Sequence, residues 1–131
     1  MSKDGKNMNK NVTIVIDGQA GSCGKGKICG YIAQNDNIGI STNNWSSNAG
    51  HTYVKDTGEK IIVSHLPMAM INSDTKLCLN AGSIITPEIL EDELVKYKDI
   101  IGKRKIYIHP RAMIIKEKHR EQEKKIIKLA K

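Results

Sequence analysis

An α/β fold with a mostly parallel central sheet is predicted by three observations. A short β-branched run, VTIVID (12–17), leads straight into a glycine-rich turn; a helical pattern follows the turn; further strand-like runs then alternate with helices. VTIVID is a short apolar, β-branched run with no clear face, the pattern of a buried central strand. Behind the glycines, KGKICGYIAQN sets Ile28, Tyr31 and Ile32 at helical spacing. NIGIST (37–42) predicts the next strand, and the small, polar TNNWSSNAGH predicts a loop. TYVKDTGEKIIVSHLP predicts a β-hairpin that turns through Asp56-Thr57-Gly58-Glu59. KLCLN (76–80) is a further strand, ended by Ala81-Gly82-Ser83. Thr86, Pro87 and Glu88 form a helix start: a capping residue, a proline at the first helical position, and an acid at the positive end of the dipole. That helix is expected to run to about Lys98. KIYIH (105–109) is the next strand, Pro110 breaks it, and helix is expected from about residue 112, with Glu121 and Lys125 spaced to pair. A right-handed crossover places the glycine loop at the carboxyl edge of the first strand, where such folds bind ligands.

The composition narrows the function classes. A chain of 131 residues is one domain's worth, and residues 1–11 read as a disordered lead to a domain spanning 12–131. Aromatics are only 4% of it and Phe is absent, so the core must rest on Ile, Val, Leu and Met. No apolar run approaches the ~20 residues that span a bilayer, which argues against a membrane partner. The polar start MSKDGKNMNKN has no secretory h-region. Cys23, Cys29 and Cys78 make an odd count without CxxC spacing, which fits a reducing cytoplasm better than a disulfide or zinc scaffold. The net charge of +7 suggests an anionic partner, but residues 116–131 hold seven Lys/Arg against three Glu and so carry +4 of it. No aromatic interleaves that tail, so a solvated helix face is the better reading and nucleic acid is not the expected partner.

The informative stretch is DGQAGSCGKGK (17–27), with four glycines and two lysines. Gly21 to Lys27 match the first seven positions of GxxxxGK[ST], in which backbone N–H groups and a helix N-terminus cradle phosphate oxygens while a lysine reaches the terminal phosphates. The eighth position, which would hold Mg²⁺ through a hydroxyl, is Ile28. This is a phosphate loop, but not an ordinary Walker motif. Asn48-Ala-Gly-His-Thr52 is a second cluster, and beside a phosphate loop an imidazole at His51 can donate to a phosphoryl oxygen as charge builds there. His51 is read as a loop residue, His65 as a core histidine within IIVSHLP, and His109 and His119 have no supporting context.

Together these residues resemble the adenylosuccinate synthetase family, which carries a glycine loop of the form GxxGDEGKGK and then NAGHT about two dozen residues later. GQAGSCGKGK (18–27) and NAGHT (48–52) stand at that spacing, followed in order by the TGEK turn, HLPMAM, NAGSIITPEIL and IHPRA. The resemblance covers roughly residues 12–125. It implies an enzyme that phosphorylates the 6-oxygen of a purine nucleotide from a nucleoside triphosphate, ATP or GTP, and lets the amine of L-aspartate displace the phosphate. It further implies that Ser22, Cys23, Gly24, Lys25, Gly26 and Lys27 surround the donor, with Lys25 acting on its phosphates. His51 would stabilise phosphoryl transfer, Gly50 would offer its carbonyl to Mg²⁺, Thr52 would assist the donor, and Asn48 would contact the acceptor nucleotide.

Ser22 departs from the pattern, because it stands where the family has an aspartate that binds Mg²⁺ and takes the purine N1 proton. A serine hydroxyl is a weak magnesium ligand and no unaided base at neutral pH. Two accounts stay open: a site inactivated at Ser22, or a different acceptor that Ser22 touches without needing a carboxylate. The loop GxxGSxGKG is similar to the phage branch of the family, which acts on deoxyguanylate and gives 2-aminodeoxyadenylosuccinate. That branch is the preferred reading and would place the protein in a host cell's cytoplasm; the ordinary synthetase acting on inosinate with GTP is the alternative, and an inactive nucleotide-binding module a further one. Cys23, where the common form has Glu, carries no assigned role. Members of the family are much longer and bring further loops for the acceptor phosphate, for aspartate and for the base. A lone chain of this length is therefore expected to be incomplete and inactive by itself, needing a second chain or the homodimer of the full-length family.

Overall fold

In chain order the elements are α1 (Lys25–Asn35), β1 (Ile40–Asn43), β2 (His51–Val54), β3 (Lys60–Val63), a 3-10 turn (Met68–Ile71), β4 (Lys76–Leu79), β5 (Ile84–Ile85), α2 (Pro87–Lys96), α3 (Lys98–Ile101), β6 (Ile106–Ile108), β7 (Met113–Ile114) and α4 (Glu117–Leu129). The computed structural model describes residues 12–19 and 23–129, so the expected disordered lead at 1–11 and Ser22 lie outside the described residues. The main sheet is parallel in the order β1-β4-β6, with Ile40 opposite Lys76 and Leu77 opposite Ile106. β2 and β3 form the antiparallel hairpin, whose turn closes through Lys55 N–H to the Glu59 carbonyl and Gly58 N–H to the Lys55 carbonyl. β5 and β7 add a short parallel pair. The architecture is α/β, as the alternation of runs predicts.

The core gathers around β4, whose Leu77 and Leu79 meet Ile61 and Val63 of β3, Leu66, Met68 and Met70 of the following segment, and Ile85. These are the aliphatic and Met side chains that a Phe-free composition requires. Three polar side chains tie the layer together. The buried Glu93 carboxylate accepts the backbone N–H groups of Ser64, His65 and Leu66, the last at 2.9 Å. Tyr97 Oη accepts from Ile62 N–H (2.9 Å) and donates to the Ile62 carbonyl (2.7 Å). Arg104 donates to the carbonyls of Met70, Asn72, Thr75, Ile100 and Ile101, closing the 3-10 turn onto α3. Each satisfies backbone groups that a loop would otherwise leave unpaired.

Four expectations are corrected. VTIVID is not a strand: residues 12–17 pair with no strand among the described residues, and Val12, Ile14 and Ile16 are 76%, 79% and 78% exposed. Val12, Thr13 and Val15 line one groove with residues 38–43, including all of β1, without bonding to it. A β-branched run becomes a strand when ladder bonds and burial come together, and here neither is made. His51 is not in a loop but opens β2, opposite Val63. The chain after Pro110 forms β7 before it turns helical, because Met113 N–H reaches the Ser83 carbonyl (2.9 Å) and Ile115 N–H the Ile85 carbonyl (2.8 Å). The helix begun at Pro87 stops at Lys96, where Tyr97 leaves helical geometry while its hydroxyl is held by Ile62, and α3 restarts at Lys98.

Thr86 does precede the first helical residue, but its side chain makes no capping bond; its N–H donates instead to His65 Nε2 at 3.2 Å. His65 is the core histidine that IIVSHLP implies. Burial pushes its imidazole below the ordinary histidine range, with the nearby Glu93 opposing. The basic helix α4 buries none of its described residues, in keeping with a solvated face.

Candidate functional site

The site is built where α1 lies across β2. Gly26 and Gly30 stand four residues apart on one face of α1 and open a notch there. A Cβ on Gly26 would come within 2.8 Å of Thr52 N and 3.0 Å of His51 Cβ; one on Gly30 would run into the Tyr53 ring. Only glycine lets the helix approach the strand this closely. The contact sets the first turn of α1 beside His51 and Thr52, two parts of the sequence about two dozen residues apart. Tyr53 Oη bonds to Gln34 Oε1 near the other end of the helix and fixes the same packing.

At the N-terminus of α1, Gly24 adopts a left-handed conformation (φ 75°) that a residue with a side chain takes only with strain, and no side chain among the described residues caps the helix there. The first-turn N–H groups and the positive end of the dipole are thus available to an anion. Lys25 forms an ion pair with Asp17 across the loop, and its ammonium holds the Asp17 carboxyl below the usual carboxylate range. Cys23 sits in the same knot, with Sγ donating to the Gln19 carbonyl at 3.3 Å and hydrogen-bonding the Asp17 side chain.

His51 is 8% exposed, and its ring stacks on Trp45 with centroids 3.5 Å apart. Its Nε2 is buried and meets no hydrogen-bond partner among the described residues. Burial pushes the imidazole below the ordinary histidine range; Lys25 adds to that push and Asp17 opposes it. At pH 7 the ring is neutral, a donor and an acceptor together.

Of the residues singled out in the sequence, Gly24, Lys25, Gly26, His51 and Thr52 come together at this helix–strand contact. Lys27 is exposed on α1, Gly50 precedes His51 in an exposed stretch, and Asn48 lies in the exposed turn before it. That turn is pinned by Ala49 N–H to the Ser46 carbonyl (3.3 Å) and by the bridge from Ser46 to Ile84. Among the described residues no group of three His, Cys, Asp or Glu could by itself hold a metal ion. Two residues at this contact escaped sequence reasoning. Trp45 is the chain's one tryptophan, set in a polar loop six residues before His51, and that isolation was its signal. Asp17 reads as the last residue of the β-branched run; nothing local in the sequence tells that it pairs with Lys25.

The family model of adenylosuccinate synthetase matches residues 14–128. The N6-succino-2-amino-2'-deoxyadenylate synthase of Salmonella phage PMBT28 is 38% identical over 118 residues, 89% of this chain and 32% of that protein. The adenylosuccinate synthetase of Methanococcus vannielii is 36% identical over 113 residues, 86% of this chain and 33% of its own. Among solved structures, the succinoaminodeoxyadenylate synthetase of cyanophage S-2L, bound to dGMP and dATP as an energy donor, is similar with a TM-score of 0.66 and 28% identity, over 79% of this chain and 29% of that one. The chain thus spans about a third of the length of the curated relatives it matches.

Proposed function

We propose, from the premise that this chain belongs to the adenylosuccinate synthetase family, that it forms the donor-phosphate half of a purine-nucleotide:L-aspartate ligase acting on deoxyguanylate. The observation that carries this reading is the glycine notch in α1, which seats His51 and Thr52 against the phosphate loop. In the reaction, O6 of deoxyguanylate attacks the γ-phosphorus of ATP or GTP, the nucleoside diphosphate leaves, and the N1 proton is lost. The aspartate amine then adds at C6 and expels the phosphate, giving 2-aminodeoxyadenylosuccinate.

In this scheme the uncapped α1 N-terminus and Lys25 bind the triphosphate, with Ser22, Cys23, Gly24, Gly26 and Lys27 forming the rest of the cradle. Neutral His51 donates to the phosphoryl group as charge develops on it, through a buried Nε2 that has no hydrogen-bond partner among the described residues. Thr52 borders the donor, while Asn48 and Ser22 face the acceptor. The Gly50 carbonyl would offer an oxygen to Mg²⁺, which takes a few protein oxygens beside phosphate oxygens rather than a full protein cage. When bound, the ion neutralises phosphate charge during transfer.

The deoxyguanylate assignment is favoured by Ser22 together with the phage relatives. Inosinate as acceptor is the second reading, favoured by the archaeal synthetases at similar identity. The two are separated by combining this chain with the carboxyl-terminal two thirds of a phage relative. Phosphate release and product are then followed with aspartate and either nucleotide. Turnover with deoxyguanylate and not inosinate supports the proposal. Turnover with inosinate alone replaces it with the second reading, and no turnover with either leaves a binding module.

A further inference from the structure

The stretch 18–27 contains no carboxylate, and the position where the family keeps one is Ser22. The chain nevertheless brings a carboxylate to the loop from just outside it. Asp17 and Lys25 are eight residues apart, and the loop between them closes into a ring through their ion pair. Both side chains keep access to solvent, 31% for Asp17 and 22% for Lys25, so an incoming ion can reach them. The Asp17 charge is also felt at His51, where it opposes the effect of Lys25. A carboxylate bonded to the phosphate-binding lysine must lie within a few ångströms of any phosphate that lysine holds.

That position has a chemical consequence. A bare triphosphate brings several negative charges against a carboxylate that cannot withdraw without releasing Lys25. A magnesium ion between them turns the repulsion into a bridge, since Mg²⁺ is commonly held by one or two carboxylates together with substrate phosphates. We propose that Asp17 is the magnesium-side carboxylate of this loop, which makes triphosphate binding conditional on the metal. Ser22 need not carry that role, because Asp17 approaches the same phosphates from the other end of the loop. The proposal rests on the donor-site reading given above.

Binding of ATP to the whole chain, measured by titration calorimetry with excess magnesium and again with EDTA, tests it. In the unmodified chain magnesium is expected to tighten binding by about tenfold or more. In Asp17→Asn that ratio should collapse towards one, with metal-free ATP binding at least as well as before. Lys25→Met should weaken both conditions together. Asp17 is exposed and outside any sheet, so Asp17→Asn should fold; a circular dichroism melt matching the parent shows that it does. An unchanged magnesium ratio in Asp17→Asn overturns the proposal while leaving the donor site standing. That includes the case in which Asp17 merely occupies Lys25, where both conditions tighten equally. Equal weakening in both conditions marks a structural role and overturns it too. ATP binding that is equal with and without magnesium in the unmodified chain removes this proposal alone, and no ATP binding in either condition removes the donor-site reading with it.

Discussion

Residues 51–104 and residues 12–24 make opposite use of the same kinds of side chain. In the first region Ile61, Val63, Leu77 and Leu79 are wholly or almost wholly buried, and polar residues such as Glu93 and Arg104 are spent on closing backbone groups. In the second, Val12, Ile14 and Ile16 are largely exposed, and the described interactions are polar ones around Asp17, Lys25 and Cys23. The difference teaches that the first region carries the fold and also positions His51 and Thr52, while the second region adds groups beside them without being packed into the core. The core fixes β2, β2 fixes His51, and α1 is seated on both through Gly26 and Gly30; the loop itself contributes little to holding the rest.

The hardest way to break this arrangement is inside the first region. Glu93→Ala removes the acceptor for three backbone N–H groups, two of them on buried residues, and is expected to cost about 3 kcal/mol or more. Leu77→Ala, which empties a fully buried position in the central strand, should cost about 3 kcal/mol as well. Denaturant midpoints measure both. A loss below about 1 kcal/mol in either would mean that the core does not carry the fold as described.

Next in size is the notch. Gly30→Ala drives a methyl into the buried Tyr53 ring, and Gly26→Ala drives one into the backbone at Thr52, each costing about 2 kcal/mol. Gly26→Ala should also weaken ATP binding, since it moves α1 away from His51. If Gly30→Ala melts with the parent, the helix–strand contact is looser than the structure has it.

Much of this was legible in the sequence, for physical reasons that can be traced. The hairpin was readable because its turn is local and its strands alternate, as the buried Ile61 and Val63 beside exposed Lys60 and Ile62 show. The start of α2 was readable because proline and an acid act on their own turn. What escaped depended on distant partners. β5 and β7 are two residues each and exist only because Ser83 and Ile85 accept from Met113 and Ile115. His51 reads as a loop residue until Val63 is placed opposite it. At the site, the residue types were visible, but the Trp45 stack and the Asp17–Lys25 pair were not. Both join positions that no period connects.

A smaller effect separates the regions by pH. His51 and His65 both have imidazoles pushed down by burial, so the folded chain takes up protons less readily than the unfolded one. Their contribution is present above the ordinary histidine value, roughly pH 6.5, and is lost as pH falls below it. Protonation also removes the acceptor that His65 Nε2 offers to Thr86 N–H. The melting temperature should therefore fall between pH 7.5 and 5.5. His65→Gln, though less stable at pH 7.5, should fall less over that range; an equal fall would assign the dependence to His51 or the carboxylates.

The smallest effect is the sharpest test of the contrast. Ile14→Thr and Ile16→Thr remove apolar surface that already faces solvent, while each replacement keeps a β-branched backbone preference. If residues 12–17 lie outside the sheet, the denaturant midpoint should move by no more than about 0.5 kcal/mol, the range of ordinary surface substitutions. If the run instead docks on the β1 edge, each change would cost on the order of 1 kcal/mol or more, as burying a hydroxyl in place of an ethyl group must. Val63→Thr, on the other side of the molecule, provides the internal standard, because there a hydroxyl enters a fully enclosed position. A large loss at Val63 with none at Ile14 or Ile16 would establish that identical chemistry is structural in one region and idle in the other.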